Sequence, residues 1–313
     1  MSQLDRRSFL THVLPAAGIA LATRASGAAP APPSSADLVT TQLGTNLTLI
    51  SGAGGNVMLL QSPDGVLMVD GGSGEHSTRL LKLVRDITGT DRVHTLFNTH
   101  WHADQTGSNR TLGAAGTRII AHENTRLWLT TDVESKWEGR VYQPLPKVAQ
   151  PNQSFHTTGS LEFGGEKIDY GHLGPAHTDG DIYVFFRNAN VLVAGDVVSV
   201  GSYPIIDYCT NGWIGGVVAA LNVLVELCDA NTRIVPGLGA PQNRDHLKSE
   251  HTALNTIKTR LSRLMAQGMS PREMIAAKPA EDFRALWGDP ELLIRNSYPG
   301  MAHRAGELGV SIV

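Results

Sequence analysis

The stretch that most constrains this chain is a short strand-like run that empties directly into metal-binding residues. Val93 to Asn98 reads as a strand, and Thr99-His100-Trp101-His102-Ala103-Asp104-Gln105-Thr106-Gly107 follows at once. Histidine, histidine and aspartate at alternate positions just past a strand can converge on one point. Imidazole and carboxylate are ligands for zinc or a similar ion. Two later segments have matching character. Gly174-Pro175-Ala176-His177-Thr178-Asp179-Gly180-Asp181 sets a histidine in a turn before the strand-like Ile182–Phe186. Val191-Leu192-Val193-Ala194-Gly195-Asp196 sets an acid at the end of another strand.

The remainder of the chain alternates β-type runs with helical stretches. Leu47–Ile50, Asn56–Gln61 and Val66–Asp70 are separated by Gly-rich or Pro-Asp-Gly turns and predict an antiparallel opening. Leu80, Leu81, Val84 and Ile87 fall at helical spacing within Ser77–Ile87, which stops at Gly89. Further strands are expected at Arg118–Ala121, Lys167–Tyr170 and Arg233–Val235, and helices at Trp213–Cys228 and Asn243–Gln267. Short helices near Pro271–Ala277, Ala280–Trp287 and Pro290–Ser297 close the sequence. Strands in two batches with helices outside them point to two sheets face to face, covered by helices.

Composition narrows the function classes. Hydrophobic residues are 41% and charged residues 18%, a foldable balance. Lys plus Arg is 26 against 29 for Asp plus Glu, a net charge of −3, so there is no basic footprint for nucleic acid. Two cysteines cannot build a disulfide framework; a single Cys209–Cys228 bridge is all they allow.

The N-terminus reads as an address. Asp5-Arg6-Arg7-Ser8-Phe9-Leu10 leads an apolar stretch through Val13 to Ala22, then small residues at 25–29 and a Pro-rich 30–33. Charged head, apolar middle and small-residue exit are the parts of an export signal. The paired arginines resemble the twin-arginine type of bacterial signal, which implies the twin-arginine export machinery as a partner and a periplasmic or secreted product. The apolar stretch is interrupted by Pro15 and too short to span a bilayer, so no stable membrane insertion is expected. The boundaries are a signal at 1–29, a linker at 30–36 and a folded domain at 37–313.

Taken together, the His-x-His-x-Asp turn, the distant His177 and the strand-end Asp196 resemble the metallo-β-lactamase fold superfamily. Its full pattern adds a histidine after the first Asp and a last histidine in a Pro-Gly-His loop. The resemblance covers Asn46 to Gly239, and Asp70 before Gly71-Gly72 matches the family's early structural Asp-Gly element. It implies an αββα four-layer sandwich of the α/β class, with the active site at the loop edge between the sheets. It also implies that a first metal is held by His100, His102 and His177. The second metal's ligands map onto Asp104, Gln105, Asp196 and Leu238. The last two-letter departures are informative: a neutral amide stands at 105 and an apolar side chain at 238, in Val235-Pro236-Gly237-Leu238-Gly239.

A divalent ion left with two carboxylates and no imidazole is held loosely. The expectation is therefore one Zn²⁺ per chain at the three histidines. Three protein ligands plus water is the open geometry of catalytic zinc, which brings bound water to a pKa of about 7. Asp104 would orient that water and take its proton, and Asp196 would hold it from the other side. The reaction would be attack of metal-bound hydroxide on a small carbonyl substrate: a β-lactam, lactone, ester or thioester. Two other readings use the same atoms. His100, His177 and Asp196 form the face used by mononuclear Fe²⁺ dioxygenases of this fold. A chain short of two ligands also suits a catalytically silent binding protein.

Other residues carry a plainer alternative. A thiolate at Cys209 would complete the depleted second site, or it is a small loop residue. Trp101, Tyr203 and Trp213 are the favoured pocket-wall aromatics, with Trp128, Trp137 and Tyr142 behind them; ordinary core packing is the alternative for each. His122 and His172 follow strands and face either the metal pocket or the core. His246 and His251 are expected on a solvated helix face. Ser135–Pro151 reads as a long surface loop that would cover the site.

Overall fold

The computed structural model describes residues 37–307. The segments expected as an export signal at 1–29 and a linker at 30–36, and the last six residues, lie outside them. The chain opens with strands β1 (Val39–Gln42), β2 (Leu47–Ser51), β3 (Val57–Ser62) and β4 (Gly65–Val69). Helix α1 (Ser77–Thr88) ends where Gly89 takes a left-handed φ of 73°, and β5 (Val93–Phe97) follows. Short helices α2 (Ala103–Thr106) and α3 (Asn109–Ala114) precede β6 (Arg118–His122) and α4 (Glu123–Thr130). The hairpin β7 (Val133–Ser135) and β8 (Arg140–Tyr142) comes next, then β9 (Gln153–Phe155). The second batch is β10 (Thr158–Phe163), β11 (Glu166–His172), β12 (Ile182–Phe186) and β13 (Val191–Gly195). Helix α5 (Ile214–Leu227), β14 (Arg233–Pro236), α6 (Arg244–Ala266), α7 (Pro271–Ala276), α8 (Arg284–Trp287) and α9 (Glu291–Glu307) complete it.

The strands form a seven-stranded sheet in the order β1-β2-β3-β4-β5-β6-β9 and a five-stranded sheet in the order β10-β11-β12-β13-β14. β1 to β4 pair antiparallel, as the opening turns predict, and β4 to β6 run parallel. Side-chain alternation explains why these strands read as unbroken apolar runs. In β3, Met58 and Leu60 pack between the sheets while Val57 and Leu59 pack under α1 and α3. In β12, Ile182, Val184 and Phe186 face the first sheet, and Tyr183 and Phe185 face the helices beyond. Each central strand is buried on both faces, giving helix, sheet, sheet, helix: the expected αββα sandwich.

Strand direction gathers the candidate residues at one edge. The chain leaves β4, β5, β13 and β14 at Asp70, the His100 turn, Asp196 and Gly237 respectively. β12 runs antiparallel to β13, pairing Phe186 with Val191, so its start, just after His177, lies beside β13's end. Backbone bonds tie the two sheets there. Ile182 N donates to Thr99 O at 3.0 Å, and Asn56 N donates to Gly237 O at 2.7 Å.

Several local expectations are corrected. Ser135–Pro151 is not a featureless loop: Ser135 pairs with Arg140 in the β7–β8 hairpin, whose three-residue strands are too short to show a period. The last helix runs past Ser297 through Pro299 to Glu307, because Leu293, Ile294 and Met301 are buried against the other helices. His246 is not a solvated side chain; its Nε2 donates to Ser199 O at 2.9 Å and lies 3.5 Å from the buried Glu250 carboxylate. Cys209 and Cys228 are both free, so the bridge the sequence allowed is not made. No helix among the described residues is long and apolar enough to cross a membrane.

Phe186 is fully buried between the sheets. Phe186→Ala should lower unfolding free energy by about 3–5 kcal/mol, as cavity-forming core truncations do. Urea titration followed by far-UV circular dichroism checks it.

Candidate metal centre

Asp70 sets up the first ligand. It is buried, sits at φ 64°, and its two carboxylate oxygens accept the Thr99 N–H and the Thr99 hydroxyl, each at 2.8 Å. That bidentate grip fixes the backbone as it leaves β5, so His100 turns inward and is buried. His102 follows one residue beyond Trp101, in the extended conformation that caps α2. His177 arrives from the loop before β12 and Asp196 from the end of β13. One ligand atom from each of His100, His102, His177 and Asp196 lies within 4.8 Å of all the others. The three rings stand nearly perpendicular to one another at 4.7–4.8 Å between centroids.

Partners outside the cluster set which nitrogen of each ring faces in. His177 Nδ1 donates to Ile205 O at 2.8 Å, leaving the Nε2 lone pair inward. His102 Nε2 donates to Asp207 Oδ2 at 3.1 Å, leaving Nδ1 inward. These two inward nitrogens lie 2.9 Å apart, within hydrogen-bond distance. His100 Nε2 is buried with no hydrogen-bond partner. Burial, and then its two imidazole neighbours, hold the His100 pKa well below the usual value, so it is neutral. Three imidazole nitrogens turned toward one point, with the Asp196 carboxylate, are a donor set that could hold a divalent ion. Asp196 Oδ2 stands 3.8 Å from both His100 Nε2 and His177 Nε2. Its Oδ1 lies so close to Gly237 that a Cβ there would sit 1.7 Å away, so any side chain at 237 would displace the Asp196 carboxylate.

Asp207 was missed by sequence reading, which saw only its loop. It is fully buried. Burial alone would raise its pKa, but hydrogen bonds from His102 and Thr210 outweigh that and hold it down at about 2. Its Oδ1 also accepts the indole N–H of Trp137, at 3.1 Å, from the β7–β8 hairpin. The hairpin thus contacts the carboxylate behind His102. A carboxylate behind a ligating histidine is the one available signal, and sequence spacing of 105 residues hides it.

The remaining expected residues divide. Asp104 is outside the four-residue group but beside it; burial, and then the charge of Asp196, raise its pKa. Gln105 is buried, with its Nε2 3.5 Å from Asp104 Oδ2 and its Oε1 unpartnered. Leu238 is exposed and lines a cavity with His177, Asp196 and Tyr203. Trp101 is not a cavity wall: it packs edge-on behind His102 and donates to Thr210 Oγ1 at 3.1 Å. Trp213 lies apart from the group, lining a separate cavity with Tyr208 and Arg304, because its backbone N–H is bound to Ala176 O as it starts α5. Cys209 Sγ accepts the Lys136 N–H at 3.4 Å and does not join the cluster. His122 and His172 stack at 3.7 Å, and their Nε2 atoms face the carbonyls of His156 and Asp179, away from the metal group.

A sequence profile of the Metallo-beta-lactamase superfamily matches residues 50–259. A metallo-beta-lactamase type 2 from Bacillus cereus is 26% identical over 60% of this chain and 68% of its own length. The alpha subunit of a 2,4-dinitroanisole O-demethylase from Nocardioides sp. (strain JS1661) is 27% identical over 39% of this chain and 35% of its own. Among solved structures, a metallo-beta-lactamase from Pontibacter korlensis superposes with a TM-score of 0.57 at 17% identity, covering 70% of this chain and 99% of that one.

Removing the carboxylate charge behind His102 should loosen the centre. Asp207→Asn is expected to weaken zinc retention about 10–100-fold, read by competition with a chromogenic chelator. The stacked pair should show in acid stability. Burial, and then His172, lower the His122 pKa to about 4, so the unfolded chain, at the ordinary imidazole value, binds a proton first. Stability from this residue is present above about pH 6.5 and lost as pH falls through about 4. The urea midpoint should fall across that window, and less steeply in His122→Asn.

Proposed function

From the premise that the chain belongs to the metallo-beta-lactamase superfamily, we propose that it is a metal-dependent hydrolase of a small carbonyl substrate, working with one divalent cation, zinc, per chain. The observation that carries this is the set of three buried imidazole nitrogens turned inward by outside partners, with the Asp196 carboxylate beside them.

His100, His102 and His177 would hold the ion. When bound, it supplies Lewis acidity, polarising a carbonyl oxygen and making water acidic near neutral pH. The chain's own residues do the rest. Asp196, one-quarter exposed, reaches from the buried cluster to the cavity and orients the attacking water. Asp104 is the proton acceptor: its raised pKa makes it a stronger base than an ordinary aspartate. The water oxygen bonds to the carbonyl carbon, the bond from that carbon to the leaving oxygen or nitrogen breaks, and the proton taken by Asp104 passes to the leaving atom. Water is consumed, and no oxidant is involved.

Two side chains argue for a single ion. Gln105 offers a neutral amide already packed against Gly55, where a Cβ would lie 2.7 Å from its Nε2. Leu238 offers carbon beside Asp196. A second reading, a mononuclear iron dioxygenase, draws on the equal 3.8 Å separations from Asp196 to His100 and His177. The inward lone pair of His102 favours the first, because a face of His100, His177 and Asp196 leaves that nitrogen without a role.

Metal analysis with a panel of esters, lactones and β-lactams tests the proposal. One zinc per chain with hydrolysis is expected; one iron with oxygen uptake supports the second reading, and metal without turnover a silent binder. His102→Ala should lose the metal and the activity. Gln105→His with Leu238→His should raise zinc toward two per chain; a stoichiometry fixed at one would refute the depleted-site argument.

A further inference from the structure

The cavity beside the metal group carries information about what it accepts. It has a volume of about 110 Å³ and is lined by His177 and Asp196 among others. Its wall is apolar: Val198, Tyr203, Pro204, Ile205 and Leu238. Leu238 is 67% exposed and Ile205 37% exposed, so two large hydrocarbon side chains stand bare at one cavity. Apolar surface gathered at a concave site next to a reactive centre is what a ligand's hydrocarbon part covers. The Tyr203 hydroxyl donates to Ala280 O at 3.1 Å, so its polar end is committed to the protein interior.

The wall is built in advance. The Ser199 N–H is held by Glu250 Oε1 at 2.9 Å, and Ser199 O accepts from His246 Nε2 at 2.9 Å. At the other end, Ile205 O accepts from His177. The segment from 199 to 205 is thus anchored at both ends, one of them on a metal-group histidine.

Polarity points the same way as shape. Asp196, at the metal group, is the acidic side chain lining this cavity, and the remaining polar groups there are the neutral hydroxyls of Ser199 and Ser202 beside His177. A carboxylate on a ligand's tail would lose its water against hydrocarbon and find no cation on this wall. A methyl group would meet carbon.

We infer that this cavity selects a neutral acyl compound, an ester or lactone whose tail ends in hydrocarbon, and turns away the same compound ending in a carboxylate. The inference rests on the hydrolase reading and names its substrate class. The Leu238 side chain is its specificity determinant: it puts carbon where a cation would be needed to welcome an anionic tail.

The test uses zinc-loaded protein and two six-carbon esters, 4-nitrophenyl hexanoate and the mono-4-nitrophenyl ester of adipic acid, which differ in a terminal methyl against a carboxylate. kcat/KM should favour the hexanoate at least tenfold, and Leu238→Lys should narrow or invert that ratio. Binding of hexanamide against adipic acid monoamide, by calorimetry, reads the same preference without turnover. If neither ester is cleaved while hexanamide binds the more tightly, the hydrolase reading fails and the ligand class stands. Equal or better handling of the carboxylate member, or no binding of either amide, overturns the inference.

Discussion

Two imidazole nitrogens facing each other at 2.9 Å are the feature on which the rest of the molecule turns. With neither a proton nor a metal ion between them, two such nitrogens repel. They persist in this arrangement because each ring is held from behind, His102 by the Asp207 carboxylate and His177 by the Ile205 carbonyl. Those outer bonds choose the tautomers before any ion arrives, which is how an outer layer of hydrogen bonds prepares a metal site. A buried carboxylate such as Asp207 is itself costly, and it is tolerated because His102, Thr210, Trp137 and the Cys209 N–H all donate to it.

The sandwich makes that preparation rigid. Strands buried on both faces cannot slip register without moving apolar side chains from one layer into the other. The loops leaving β4, β5, β13 and β14 are therefore held to fixed positions at one edge. Asp70 turns this into local precision by gripping Thr99 through both carboxylate oxygens, and the Thr99 carbonyl in turn binds the Ile182 N–H of the opposite sheet. The edge is a seam between layers, and the chemistry-bearing residues are stitched into it.

The scaffold is shared with relatives while the side chains at its edge set this chain's own character, as expected when functional sites are grafted on a common fold. Gln105 and Leu238 stand where the superfamily pattern has imidazoles. The first is sealed inside, with an unpartnered oxygen; the second stands open at the cavity. One change removes a ligand from behind Asp104, and the other converts a polar rim into hydrocarbon. Under the proposed function, these two positions are what would leave room for one ion and an apolar tail.

Much of this was legible in the linear sequence, and for a local reason. His100, His102 and Asp104 share one turn, the Gly89 stop follows a helical period, and Ile182–Phe186 and Val191–Gly195 announce themselves as runs of apolar residues. Short elements without a full period escaped: the three-residue strands of the β7–β8 hairpin, and helices α2, α3 and α4, whose boundaries depend on what they pack against. Trp101 and Trp213 could not be sorted from composition, since any aromatic reads as both wall and core. Asp207 lay beyond reach altogether, because 105 residues separate it from the ring it orients. Sequence by itself determined which side chains could serve as metal ligands and which layers form, since periodicity and ligand chemistry are written along the chain. Tertiary structure alone decided which nitrogens face inward, what stands behind them and what lines the cavity, since those depend on distances between segments that no spacing encodes.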